Sequence, residues 1–218
     1  MLFHTWAFAV FFAVVYPVYL LSRGSRFGLY WLFAASYFFY GWWNWSYLLL
    51  ILYSTLIDWF CVNQMAKGRH RRLWVTVSLV ANLGMLGFFK YSTFAVENLN
   101  RLLACLGAAV QVPVPQDLMP AGWQFVLPVG ISFFTFQSLS YTIDHYRGHV
   151  EREPSFVRYT TFVSLFPQLV AGPIERASNL LGQLYGRREI TWRHVADGAS
   201  LFLVGLFKKV AIADFLAA

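Results

Sequence analysis

The stretch LFHTWAFAVFFAVVYPVYLL, residues 2–21, carries no formal charge from end to end. A bilayer's hydrocarbon core is about 30 Å thick and takes ~20 apolar residues in helical form, so this one segment reaches spanning length. A cleaved secretory leader opens on a basic region and closes on a small-residue cleavage site. Met1-Leu2-Phe3-His4 holds no Lys or Arg, and a retained first span is the expectation.

Working outward, further apolar blocks fall at residues 27–43, 47–60, 73–89, 123–143, 159–172 and 195–213. Several are shorter than a perpendicular span and fit a tilted crossing, a re-entrant piece or a buried helix equally. The expected fold class is all-α, a polytopic transmembrane helical bundle of roughly five to seven spans with interfacial and re-entrant helices. Residues 94–106, amphipathic and carrying Glu97 and Arg101, are expected to be interfacial.

Composition agrees with that pattern. The chain is 58% hydrophobic and 12% charged, against roughly 25% charged in soluble domains. The net charge of +7 comes from residues dispersed between apolar blocks rather than gathered on one face, which argues against nucleic acid. Short cytoplasmic loops are enriched in Lys and Arg. Arg23 and Arg26, then Lys67, Arg69, Arg71 and Arg72, then Arg147, Arg152 and Arg158 follow alternate blocks, while residues 40–46 and 107–122 hold neither residue type. The N-terminus is therefore expected outside the cytoplasm, with Trp42, Trp43, Trp45 and Tyr47 at the outer interface. Cys61 and Cys105 are the only cysteines; with no metal-ligand spacing they read as small apolar residues, and no metal site is expected.

The Pro- and Gly-rich segment 107–122 divides the chain by composition into N-terminal helices, residues 1–106, an extracytoplasmic loop, and a more polar group, residues 123–218. That last group carries the motifs. LPVGISFFTFQ, residues 127–137, sets Pro128 and Gly130 in an apolar block and predicts a kinked or closely packed helix. Gln137 and Tyr141 belong to a polar series that should face protein or a wet cavity, because an unpaired polar group in hydrocarbon is costly. Asp144 and Arg147 are spaced for an i, i+3 pair, a clamp at the end of the helix. FPQLVAGPIER, residues 166–176, cannot form one straight helix, since Pro167, Gly172 and Pro173 interrupt it at membrane depth. Such backbone lines a cavity or is buried, and Gln168 sits within it.

LPVGISFFTFQSLSYTIDHYRG followed by FPQLVAGPIERA, with SYFFYGWWNWSYLLLILYSTLIDW before and GLFKKVAIAD after, resembles the membrane-bound O-acyltransferase family. Within it the resemblance is to the N-terminal portion of the bacterial branch that acetylates alginate and related exopolysaccharides. It covers almost the whole chain. What it implies is a partial family fold in a bacterial inner membrane and an acyl donor, acetyl-CoA, used from the cytoplasm. The implied partners are that donor, the lipid bilayer and extracytoplasmic polysaccharide-acetylation proteins, with no cofactor held. It also implies a tunnel through the membrane, with Gln137, Tyr141, Asp144, Arg147, Pro167, Gln168, Gly172 and Pro173 as candidate route residues.

In that family a histidine within an apolar segment is catalytic, and the resemblance places it beyond Ala218. His4, His70, His145, His149 and His194 read as terminal or basic-loop residues, so none is assigned as catalytic. The chain on its own is expected to lack acyltransferase activity. Arg147, Arg152, Arg176, Arg187 and Arg188 fit attraction of donor phosphates and, equally, the charge rule for cytoplasmic loops. A non-catalytic scaffold or conduit in a polysaccharide-modifying complex is the alternative.

Overall fold

The computed structural model describes residues 3–68, 70–108, 110–119, 125–170, 172–186 and 189–217. Arg69 of the second basic loop, residues 120–124 at the start of the fifth apolar block, Ala171, and Arg187 and Arg188 among the donor-site candidates lie outside the described residues. Among the described residues the chain is helical, with no strand.

Helix α1 spans Trp6–Ser22, and its first turn is capped by the Thr5 hydroxyl, which accepts from the Phe8 amide. Ser25 caps α2, Arg26–Gly41, in the same way. A single 3-10 turn, Trp45–Tyr47, leads into α3, Leu48–Ala66. Next come α4, Arg71–Cys105, a 3-10 turn at Pro115–Leu118, and α5, Ile131–Arg147. The remainder is shorter: α6, Phe156–Ser164; α7, Phe166–Leu169; α8, Ala177–Tyr185; α9, Trp192–Phe207; a π-helical stretch, Lys208–Ala213; and α10, Asp214–Ala217.

Two local features are sharper in the structure than in the sequence. Residues 94–106 are continuous with the apolar block before them: α4 runs unbroken for 35 residues, about 52 Å at 1.5 Å per residue. Between Leu73 and Leu103 nothing forbids helix, and the amphipathic tail simply continues the apolar part beyond bilayer thickness. Of the kink or close packing expected at Pro128 and Gly130, the close packing is what forms: both residues precede α5, and the Gly130 backbone lies against Leu169. Gly130 stands at the N-cap of α5 with φ 77°, a left-handed conformation that glycine adopts without penalty. Two helical stretches, Trp45–Ala66 and Arg71–Cys105, are long and apolar enough to cross a membrane.

The bundle core forms where α3, α4 and α5 pack together and α6 lies against α2 and α3. Ile51, Met65, Phe134, Tyr141, Tyr159 and Phe162 fill it. A second cluster, with Phe8, Phe11, Phe39 and Phe166, joins α1 and α2 to the break between α6 and α7. Outside these clusters the surface is strongly apolar: Trp6, Leu21, Leu99, Leu102, Leu203 and Phe215 are all exposed. A water-facing surface does not sustain apolar patches on that scale, and lipid does.

A candidate acyl-transfer cleft between the two motifs

At the centre of the bundle is a polar node that the sequence reading does not name. Asp58 of α3 is fully buried. Its Oδ1 accepts from the Ser78 hydroxyl and, at 2.7 Å, from the Asn82 amide, both on α4. Its Oδ2 accepts from the Ser138 hydroxyl of α5, which also meets the Tyr159 hydroxyl of α6 at 2.7 Å. Ser54, one turn before Asp58, donates to Asn82 Oδ1. Four helices are thus tied by one carboxylate. The available signal was the single acid inside the apolar block 47–60, since an ionisable group at membrane depth needs partners.

Next to this node the two motifs meet. The Gly130 backbone lies so near α7 that a Cβ there would stand 2.5 Å from the Leu169 carbonyl oxygen. A Cβ on Gly172 would stand 2.3 Å from the Gln168 Cα. The two glycines let the break at Leu165 and the turn after α7 fold onto the start of α5. Where the two motifs meet is a small cleft, lined by Phe133, Phe134 and Gln137 from α5, Val163 from α6, Gln168 and Leu169 from α7, and Pro173 with Ile174 beyond. Its water-accessible volume is about 10 Å3, the room that roughly one water needs.

Gln137, Gln168 and Pro173 are therefore brought together, with Gly172 packed on Gln168 and Pro167 setting the first turn of α7. Gln137 is 3% exposed, and its amide nitrogen has no hydrogen-bond partner. The Gln168 amide donates to the Phe162 carbonyl at 3.1 Å, closing the break.

Tyr141, Asp144 and Arg147 sit farther along α5 and do not line the cleft. Tyr141 is fully buried; its hydroxyl accepts from the Glu153 amide at 2.8 Å, and its ring lies 4.8 Å from that of Tyr159. The Asp144 to Arg147 pair does not form. Gly148, with φ 80°, ends α5 and lets the chain turn back, so that His149 lies 3.9 Å from Asp144 Oδ1 while Arg147 is left exposed. Arg71 supplies the clamp instead, donating to the His145 and Tyr146 carbonyls at the end of α5.

His145 differs from its reading as a loop residue. It lies in the last turn of α5 and is buried, with Nδ1 3.0 Å from the Val150 carbonyl and Nε2 without a partner. Burial holds its pKa below the usual histidine value; the Val150 contact opposes this, and Arg71 and Arg152 add to it.

Of the arginines proposed for donor phosphates, Arg152 donates to Asn63 Oδ1, and Arg176 is exposed at the start of α8. Arg158 is engaged more fully. It pairs with buried Glu153 at 2.9 Å and stacks 3.9 Å from the Tyr185 ring centroid. Tyr185 also donates to Glu153, and burial followed by that bond raises its pKa. Lys209 pairs with Asp214 across the π-helical stretch.

Comparison with known proteins finds relatives along most of the chain. The chain is 37% identical over 213 residues to a probable alginate O-acetylase of Pseudomonas aeruginosa, a match covering 96% of this chain and 39% of that protein. It is likewise 37% identical over 190 residues to a probable alginate O-acetylase of Azotobacter vinelandii, covering 85% and 36%. To a peptidoglycan O-acetyltransferase of Helicobacter pylori it is 32% identical over 222 residues, covering 88% and 40%. The chain thus spans about two-fifths of the length of the curated relatives it matches. No family model matches it, and no solved structure does.

Proposed function

We propose, from this chain's membership of the membrane-bound O-acyltransferase family, that it serves the O-acetylation of an extracytoplasmic polysaccharide and forms the acyl-binding wall of that machinery. The observation that carries the reading is the meeting of the two motifs, with Gly130 against Leu169 and an unpartnered, buried Gln137 in the cleft they enclose. Acetyl-CoA is the proposed donor, reaching the cleft from the cytoplasmic ends of α5 and α6. Polysaccharide lies on the side of residues 107–122. In that orientation the N-terminus is extracytoplasmic and the basic connections, including Arg71 and Arg152, face the cytoplasm of a bacterial inner membrane.

Acyl transfer to a hydroxyl needs a base to take its proton and a donor to stabilise charge on the carbonyl oxygen. The cleft offers the second through Gln137. Its described lining contains no histidine and no carboxylate, so the chain on its own is proposed to bind the donor without turning it over. That no residue of α9 is buried favours a docking role beside this one, as an apolar surface for other helices of the machinery.

A chimera tests the reading. These residues replace the matching segment of the Pseudomonas aeruginosa relative in cells lacking that protein, and base-labile O-acetyl on secreted alginate is measured. The chimera is expected to restore acetylation and the 218-residue chain alone to leave it absent. An inserted chimera that restores none would sink the proposal.

A further inference from the structure

The connection from α1 to α2 is short and basic: Arg23, Gly24 and Ser25 join Ser22 to Arg26. Both helices present apolar side chains outward, with Val10, Val14, Phe27 and Phe38 exposed, a surface that lipid accepts and water does not. The connection therefore stands where the chain leaves hydrocarbon, at the depth of the lipid phosphates. A Cβ on Gly28 would stand 2.5 Å from the Ser22 carbonyl oxygen, so the turn is held tight against the start of α2.

Against that turn lies a pocket with a water-accessible volume of about 110 Å3, where the cleft beside Gln137 has about 10 Å3. Its walls are of two kinds. Tyr19, Leu29 and Leu32 make an apolar side from α1 and α2, while Arg26, Arg158 of α6 and Tyr185 of α8 make a polar one. Its described lining holds no carboxylate. Arg158 is fixed in place by Glu153, at 2.9 Å, and by the Tyr185 ring. The Glu153 pair offsets its charge, yet its Nε has no hydrogen-bond partner. Arg26 is exposed and pairs with no acid among the described residues. Neither does Arg23, whose Nε is shielded from solvent and also unpartnered. The Ser25 hydroxyl, by contrast, is engaged, donating to the Ser22 carbonyl and accepting from the Gly28 amide.

An anion fits this arrangement, and the apolar wall narrows its chemistry. Arg23 and Arg26 supply uncompensated positive charge, and Arg158 supplies N–H groups in a fixed fork that suits phosphate oxygens. Tyr19 and the two leucines call for hydrocarbon attached to that phosphate. A soluble phosphate meets only the first demand, and a zwitterionic lipid brings a cation against the arginines. We propose that the pocket holds the phosphodiester of an anionic phospholipid, with Arg26 and Arg158 beside the phosphate and the acyl chains along the apolar side of α1 and α2. Basic pockets between membrane helices suit such headgroups in general. The pocket shares no lining residue with the cleft between the two motifs, so this inference and the acyl-transfer reading stand or fall separately.

Native mass spectrometry of the purified chain in detergent, titrated with dioleoyl phosphatidylglycerol, tests it. Arg26→Gln should weaken binding of the first lipid about fivefold, the worth of one arginine at an anionic membrane surface. Arg193→Gln removes the same charge from α9, outside the pocket, and should leave that binding unchanged. Dioleoyl phosphatidylcholine, with the same chains and no net charge, should bind the wild type at least about fivefold more weakly. Neither inorganic phosphate nor coenzyme A should displace the phosphatidylglycerol. Because Arg26 is exposed and unpaired, its variant should melt at the wild-type temperature. Equal affinity for the two lipids, or equal weakening by the two variants, would overturn the inference. Displacement by inorganic phosphate or coenzyme A would also overturn it and assign the pocket to a soluble phosphate.

Discussion

Gly130 and Leu169, thirty-nine positions apart in sequence, approach so closely that a Cβ on the first would lie 2.5 Å from the carbonyl oxygen of the second. Gly130→Ala therefore faces both a backbone clash and a left-handed φ of 77°, a conformation that costs a non-glycine residue about 1–3 kcal/mol. The variant should unfold at lower denaturant concentration in detergent by at least that amount. Gly87→Ala within α4, where an added Cβ meets nothing, should be neutral or stabilising by up to ~1 kcal/mol.

Asp58 should separate shape from hydrogen bonding. Asp58→Ala strands the Ser78 hydroxyl, leaves Ser138 with Tyr159 alone and Asn82 with the Ser78 carbonyl alone, and opens a cavity at the meeting of α3, α4 and α5, with about 1–3 kcal/mol for the unsatisfied group and the rest from lost bonds and packing. A loss of ~3 kcal/mol or more is expected in denaturant unfolding. Asp58→Asn keeps an acceptor oxygen and the volume, and should lose less than half as much. Equal losses would mean that the node acts by packing alone.

His145 gives a pH signature. Its folded pKa lies below the ordinary value because burial disfavours the imidazolium. The folded state therefore binds its proton less readily than the unfolded chain, whose histidine titrates near ~6.5. The resulting stability is complete above that value and is lost as pH falls through the lower folded pKa. His145→Gln should flatten the acid limb of a melting-temperature profile below roughly pH 6.5 and leave the neutral region little changed. An identical acid limb in both proteins would contradict the burial of that ring.

Much of the architecture is readable from sequence because it depends on short-range physics. The apolar blocks become α1, α2 and α3, and Pro167 with Gly172 breaks the chain where expected. The continuity of residues 94–106 with the apolar block before them is not legible, because amphipathicity marks a change of environment and a helix can pass through such a change without a break. The Asp144 to Arg147 pair fails for a local reason: Gly148 turns the chain and brings His149 to the acid. The Asp58 node joins residues 58, 78, 82, 138 and 159, a convergence set by helix packing that no spacing rule along one segment reveals. Gln137 and Gln168 are legible as polar residues in apolar surroundings, but only the fold distinguishes the unpaired amide from the one bonded to Phe162.

The central claim is that the two motifs enclose the acyl-binding cleft, and Gly172→Val tests it most directly, because a side chain there collides with the Gln168 backbone. In the alginate chimera, secreted O-acetyl per uronic acid is measured alongside the amount of protein in the membrane. At unchanged membrane levels the account predicts that acetylation falls to about a tenth or less, a loss of ~1.4 kcal/mol or more in transition-state stabilisation. Full acetylation from an equally abundant Gly172→Val chimera would contradict it.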